Sequence, residues 1–394
     1  MKFSILVIVS FLSFTNVFAQ ADSTVLTNSS ERMIANVKSR LTIGGYTQID
    51  YNQPTGGGTY HNGTLDVHRM VLLFGYKFND RAQFISEIEL EHVKEVFVEQ
   101  AFLNYRILPW LNFRGGLMLI PMGIVNEYHE PPTYNGVERP NVDNKIVPTT
   151  WREIGAGFNG AFNDISLKYQ IYLVNGFKSY DGTSYLNGSN GLRNGRQKGV
   201  ESFMSTPNLS AKIDYFGFPG LKIGLSGYFG NTQSTLYNNL KKENIAGKAR
   251  ADSSVVGVTM LGLDARYAKK GWEFRAQYIM TYIQNSTQYN KFSGKDLGSQ
   301  LAGWYVEAGY NLFQSKPEIH SQLIPFIRYE QYDTHTKTEG NLARNKANDK
   351  SEITAGIGWK ITPELVLKSD YQWRKSAAES SYSGQFNFGI GLMF

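Results

Sequence analysis

The sequence predicts an all-β chain, a transmembrane antiparallel β-barrel of about sixteen strands with short periplasmic turns and long external loops. Three observations predict it. Apolar and polar residues alternate almost continuously from Leu41 to Phe394. The connections between alternating segments are short and long in turn. The chain is rich in Tyr (24), Phe (24) and Gly (39), and its mean hydropathy is −0.33. No stretch approaches the ~20 apolar residues of a membrane helix. In a barrel half of each strand faces water, so average hydropathy stays low.

The N-terminus reads as an export signal. Lys2 supplies a positive start, residues 3–14 form a short apolar run, and Val17 and Ala19 are small residues placed for cleavage after Ala19. Ala19 and Ala21 offer a second cleavage point after Ala21. Residues 1–19 are therefore expected to be a signal peptide. Residues 20–39 are read as a polar periplasmic lead-in, and residues 40–394 as the barrel.

In the first barrel segment Leu41, Ile43, Gly45, Thr47, Ile49 and Tyr51 share one face, and Thr42, Tyr46, Gln48 and Asp50 the other. Side chains alternate across a strand, so one set meets lipid and the other the lumen. The pattern recurs near 40–52, 65–78, 81–91, 95–107, 110–120, 151–163, 165–175 and 205–216. It continues near 220–230, 254–269, 271–285, 300–314, 320–333, 350–362, 364–375 and 382–394. An even count is the rule for single-chain bacterial barrels.

The connections give an independent check. Turn-forming pairs such as Asn79 and Asp80, Leu108 and Pro109, Asn163 and Asp164, and Thr362 and Pro363 close every second link. The intervening links near 121–150, 175–205, 231–253, 286–299 and 333–350 are long and polar. Those near 92–94 and 376–381 are short. Phe78, Trp110, Trp151, Tyr267, Trp272, Phe313 and Trp359 sit near strand ends, where aromatic girdles are expected. The final alternation of Phe386, Phe388, Ile390, Leu392 and Phe394 resembles the C-terminal strand that the barrel-assembly machinery recognises in outer-membrane proteins.

The inner face is charged. Its basic set includes Arg69, Arg106, Arg114, Lys168, Lys212, Lys222, Arg266, Arg275, Arg328, Lys360, Lys368 and Arg374. Its acidic set includes Asp50, Glu87, Glu89, Glu91, Glu153, Asp214, Asp264, Glu273, Glu307, Glu330, Glu352 and Asp370. A Lys or Arg on the lipid face costs about 2–4 kcal/mol at the midplane, so these residues belong in water or in pairs. A soluble sandwich would need a dry inner face instead. Sixteen strands leave room for an aqueous channel. The signs nearly balance, so no one-sign filter is legible. Arg69, Arg106, Arg114, Glu153, Arg266, Arg275, Arg328, Lys368 and Arg374 are the lumen-lining candidates.

Residues 121–150 form the third external loop. Pro121, Pro131, Pro132, Pro140 and Pro148 stiffen it without helix or ladder bonding. The loop is expected to fold into the lumen and narrow the pore, with Glu127, Glu130, Glu138, Arg139, Asp143 and Lys145 at the constriction.

Within residues 116–160, Pro121-Met122-Gly123, Asn126-Glu127, Glu138-Arg139-Pro140, Pro148 and Trp151-Arg152-Glu153 resemble the family of phosphate-selective porins O and P. The resemblance implies a sixteen-stranded outer-membrane porin, a homotrimer passing anions such as phosphate by diffusion. The family's Arg ladder and Lys cluster have no counterpart legible here, where acidic residues intervene.

The expected partners are therefore outer-membrane lipid, small solutes or ions, and the assembly machinery. No cofactor, catalytic residue or metal site is expected. Gly155-Ala-Gly157-Phe-Asn-Gly160 matches a dinucleotide fingerprint but lies within a strand, where that chemistry has no helix to follow it. The six His show no H-x-x-x-H spacing for zinc. No cysteine provides a thiolate, and no basic block suggests nucleic acid. Alternatives of another class are an adhesin or receptor using the loops at 175–205 and 231–253, or a barrel enzyme. For the enzyme, His129 between Glu127 and Glu130 is the nearest candidate, and it reads as a solvated loop cluster. The stretch before Leu41 is too short for the plug of a gated transporter.

Overall fold

The computed structural model describes Asn28, Ser30, Arg32, residues 39–56 and residues 59–394. The expected signal peptide lies outside these residues, as does most of the lead-in.

Sixteen antiparallel strands close into one barrel. They are β1 (Leu41–Thr55), β2 (Thr64–Lys77), β3 (Ala82–Glu91), β4 (Glu95–Leu108), β5 (Leu111–Leu119), β6 (Arg152–Phe162), β7 (Leu167–Val174) and β8 (Asn208–Tyr215). The second half comprises β9 (Leu221–Asn231), β10 (Gly257–Lys269), β11 (Trp272–Gln284), β12 (Gln300–Tyr310), β13 (Gln322–Lys337), β14 (Asp349–Thr362), β15 (Leu365–Ser376) and β16 (Ser383–Met393). Each strand pairs with its sequence neighbours, and β16 returns to β1 from Tyr46↔Met393 to Thr55↔Gly384. Phe394 finishes the seam with two reciprocal backbone hydrogen bonds of 2.9 Å to Gly45. A closed ladder leaves no unpaired edge, which is what permits strands to cross a bilayer.

The alternation sets the two faces. Ile213, Leu225 and Leu263 are more than half exposed on the outside, whereas Lys212, Asp214 and Asp264 on the same strands are buried inside. A one-residue slip would put those charges into the lipid layer. Trp110, Trp272 and Trp359 lie exposed on the outside near strand ends, as girdle residues do. Trp151 does not. It is fully buried inside the barrel, stacked on Phe177 at 4.6 Å and edge-on to Tyr228 at 4.7 Å. Its indole N–H donates to Glu153 at 2.9 Å. Trp151 immediately precedes β6, and at that point the chain is emerging from the lumen rather than from the rim.

The long loops are folded, which their polar composition concealed. Residues 245–253 and 286–293 form helices, α1 (Ile245–Ser253) and α2 (Ser286–Ser293). The Asn244 side chain caps α1 by accepting from Gly247 N at 2.8 Å. Residues 178–184 and 233–234 make a small three-stranded sheet. Ser179 Oγ joins that sheet to the carbonyl of Ser254 at 2.6 Å, and Tyr289 of α2 bonds to the carbonyl of Ser179. These segments form a cap over part of the long-loop end of the barrel.

Candidate functional site

Residues 120–151 do not stay at the rim. They turn inward after β5, and nearly all of them are buried. Asn126 locks the two ends together. Its Nδ2 donates to the carbonyls of Ile120 (2.7 Å) and Trp151 (2.9 Å), and its Oδ1 accepts from Trp151 N at 2.7 Å.

From that lock the loop crosses the lumen and is held by strands all around it. On one side, β8 Lys212 donates to Gly123 O at 2.7 Å and Glu127 at 2.9 Å. Ile124 N donates to Gln277 of β11 at 2.6 Å. Opposite, β15 Lys368 donates to the carbonyls of Tyr134 (2.7 Å) and Gly136 (2.9 Å). Asp370 of the same strand accepts from Val137 N at 2.6 Å. Asn52 of β1 donates to Glu138 at 2.9 Å, and Glu330 of β13 accepts from Val142 N at 3.0 Å. The proline-stiffened loop therefore meets its donors and acceptors on the wall, and the charged inner face serves largely to hold it.

This geometry separates the expected site residues. Glu138, Arg139 and Asp143 line a cavity of about 170 Å³ between the loop and the wall of β1 to β4, together with Arg69 and Arg374. Lys145 lies in a second lobe of about 290 Å³, bounded by β13, β14 and β15, which shares Asn141 and Arg374 with the first. Glu127 and Glu130 are in the lumen but off this space. Glu127 accepts from Lys212 and from Gln170 at 2.7 Å. Glu130 opens the short turn of residues 131–133, its carbonyl accepting from Thr133 N at 2.9 Å.

The wall candidates divide similarly. Arg275 pairs with Glu307, which Arg328 also approaches at 3.4 Å. Arg266 lies over the Tyr128 ring at 3.6 Å, and Arg114 over Phe102 at 4.4 Å. Glu153 accepts from Gly176 N at 3.0 Å and from Tyr228 OH at 3.1 Å. Arg106 does not line the lumen. It lies exposed at the short-turn end, donating to the Asp80 carbonyl at 2.7 Å, because the strand runs past the buried part of the wall there. His129 also departs from its expected surroundings: it is buried against Glu99 rather than solvated.

The strongest feature of the first lobe is not legible in the sequence. Arg152 of β6 and Arg193, Arg196 and Lys198 of the loop after β7 gather there beside Arg139. Arg193 donates to Thr149 O at 2.6 Å, and Arg196 to Thr150 O at 2.8 Å and Pro148 O at 3.0 Å, so both clamp the returning arm of the loop. Arg152 and Lys198 flank Phe97, 5.7 and 5.0 Å from its ring centroid. Burial, then repulsion from Arg139, lowers the Arg193 pKa to about 10. Burial, with repulsion from Arg193 and Arg152, lowers Arg196 to about 9. Seven cationic side chains thus share one pocket with four carboxylates, those of Glu89, Glu91, Glu138 and Asp143.

A closed ladder of sixteen strands, short turns at one end, long loops at the other and an inward-folded loop define a porin-type β-barrel. Solved structures of the same form include the outer membrane channel DcaP of Acinetobacter baumannii (TM-score 0.57, 13% identity, covering 91% of this chain and 100% of that one). The anion-selective porin from Comamonas acidovorans superposes with TM-score 0.56 at 10% identity over 90% of this chain and 99% of that one. OmpF of Salmonella typhi gives 0.55 at 14% identity over 90% and 97%. No family model matches the chain. An uncharacterized protein of Aquifex aeolicus is 32% identical over 347 residues, 86% of this chain and 76% of that protein, and the chain belongs to its family.

Proposed function

We propose that this chain is an outer-membrane porin, a passive aqueous channel for small hydrophilic solutes that favours anions, phosphate among them. The long loops face outward and the short turns the periplasm. The signal peptide over residues 1–19 directs export, and the barrel works as a homotrimer, the form also described for OmpT of Vibrio cholerae. The observation that carries the anion preference is the composition of the first lobe. Arg69, Arg139, Arg152, Arg193, Arg196, Arg374 and Lys198 face Glu89, Glu91, Glu138 and Asp143. Guanidinium forks suit an oxyanion, which accepts two parallel hydrogen bonds from one Arg.

The test is a planar bilayer under a KCl gradient. Discrete open steps, a reversal potential favouring chloride and block by inorganic phosphate are expected. Cation preference or none would reject the anion reading and leave a general porin. Folded barrels without conductance would reject the channel. Reversing two cations that hold no loop carbonyl, in Arg152→Glu/Lys198→Glu, is expected to lower the chloride-to-potassium permeability ratio several-fold. That effect should fade near 1 M salt, where the Debye length is ~3 Å.

The preference should also depend on pH. Burial pushes the Asp143 carboxyl up to about 7, against a lowering hydrogen bond from Gln277. Below that value the carboxyl is neutral, and above it a negative charge joins the cavity. Chloride preference is therefore expected to fall between about pH 6 and about pH 8. In Asp143→Asn that step should vanish, and a step of unchanged size there would assign it to another group.

A further inference from the structure

We infer that Glu87, Glu99 and His129 form a divalent-metal site that staples the inward loop to the barrel wall. The three side chains come from β3, β4 and the loop, and they are 2%, 0% and 2% exposed. One donor atom from each lies within 4.8 Å of the others. The strand pairing places them deliberately. Glu87 pairs with Gln100 while Ile88 pairs with Val98, so Glu99 is the extra residue of a β-bulge. A bulge re-aims a side chain, and here it turns Glu99 inward beside Gln100, both buried.

The imidazole is oriented as a ligand. His129 Nδ1 lies 3.3 Å from the Asn126 carbonyl, which can only accept, so Nδ1 carries the hydrogen. Nε2 then presents its lone pair to Glu99 Oε2 at 3.4 Å. A ring N–H held by a backbone carbonyl with the other nitrogen on the metal is the usual second-shell arrangement. A lone pair facing a carboxylate in a buried pocket is unfavourable, so a cation belongs between them, either a proton on Nε2 or a metal ion, and the zinc titration below separates the two. Tetrahedral Zn²⁺, with donors at about 2.0–2.1 Å, sets neighbouring donor atoms roughly 3.3–3.4 Å apart. The Glu99 to His129 separation has that length. Among the described residues, His129 Nε2, Glu87 Oε2 and Glu99 Oε1 are all buried without a hydrogen-bond partner. Two carboxylates and a neutral imidazole carry a charge that one divalent ion cancels, and this donor set suits zinc-like ions. Tyr46 OH, 3.3 Å from Glu99 Oε2, supports the carboxylate from β1.

No local spacing marks this site, because its ligands stand 12 and 30 residues apart on three elements. The staple would act at the root of the loop, since Asn126, which orients His129, also ties residues 120 and 151 together.

The experiment strips the refolded mature barrel with a chelator and titrates it with Zn²⁺ in competition with a chromophoric chelator. One zinc per barrel is expected, and Co²⁺ in its place should show the visible bands of a four-coordinate site. Glu99→Gln and His129→Gln should each weaken zinc retention by at least the ~10–100-fold that loss of a mere outer-shell partner costs a metal site. Glu87→Gln provides a third variant should either of these fail to fold, as judged by heat-modifiable migration. Asp66, His68 and His92 also lie together, partly exposed near the long-loop rim. His68→Gln/His92→Gln is expected to keep the zinc. No stoichiometric uptake, equal retention by the ligand variants, or loss of zinc in the rim variant instead would overturn the inference. Uptake is read without conduction, so a barrel that conducts but takes no zinc refutes this site and leaves the porin reading intact.

Discussion

Replacing residues 128–143 with a short Gly/Ser linker is expected to raise single-channel conductance several-fold. The wall alone encloses a lumen wide enough for water and ions, as sixteen strands do. The loop takes up that space, fixed to β1, β13 and β15 through Asn52, Glu330, Lys368 and Asp370. Removing it touches no ladder bond, so the barrel should still close. The freed wall charges would be rehydrated rather than left buried, which limits the cost in stability. The same variant should lose much of its ion preference, because ions crossing the widened lumen would pass farther from the remaining cations, Arg152 and Lys198 among them, and be screened from them. Conductance unchanged from the parent would show that ions pass by a route the loop does not narrow.

The wall was legible because its constraint is local. Lipid on one face and water on the other impose a period of two, and a misplaced charge on the lipid side is costly enough to keep the pattern clean. That is why all sixteen strands fall within a few residues of their expected limits. The lumen obeys no such local rule. Lys212 and Lys368 look like pore-lining cations in sequence, yet each is engaged by backbone carbonyls of the inward loop. Trp151 stands at a strand end, where a girdle aromatic belongs, and only the path of the loop takes it inside. Arg193, Arg196 and Lys198 lie in a polar connection with no periodicity, so nothing in the sequence brings them to Arg152. His129 looked solvated beside two glutamates. Its actual neighbours, Glu87 and Glu99, come from strands it does not adjoin in sequence. Tertiary contact decides each of these placements.

Lys212→Met is expected to destabilise the folded barrel by about 3–5 kcal/mol, the usual cost of removing one partner from a buried ionic cluster. Lys212 is almost fully buried, and its ammonium sits 2.9 Å from Glu127, 3.4 Å from Asp264 and 4.0 Å from Asp214. Asp214 keeps Lys222 at 3.2 Å, so the loss falls on Glu127 and Asp264. Methionine roughly matches the stem in volume, so the missing charge rather than a cavity dominates the effect. The measurement is the shift in urea midpoint for barrels folded in lipid vesicles, at constant slope. Lys212→Met/Glu127→Gln tests the cause. If Glu127 is held by Lys212, removing its charge should restore part of the stability lost, and the double variant should be more stable than the sum of the single changes predicts. Strict additivity would mean that the two residues act independently. Asp264 and Gly123 O would then be the contacts through which Lys212 matters, and the beginning of the loop would be anchored by the backbone hydrogen bond rather than by the charge of Glu127.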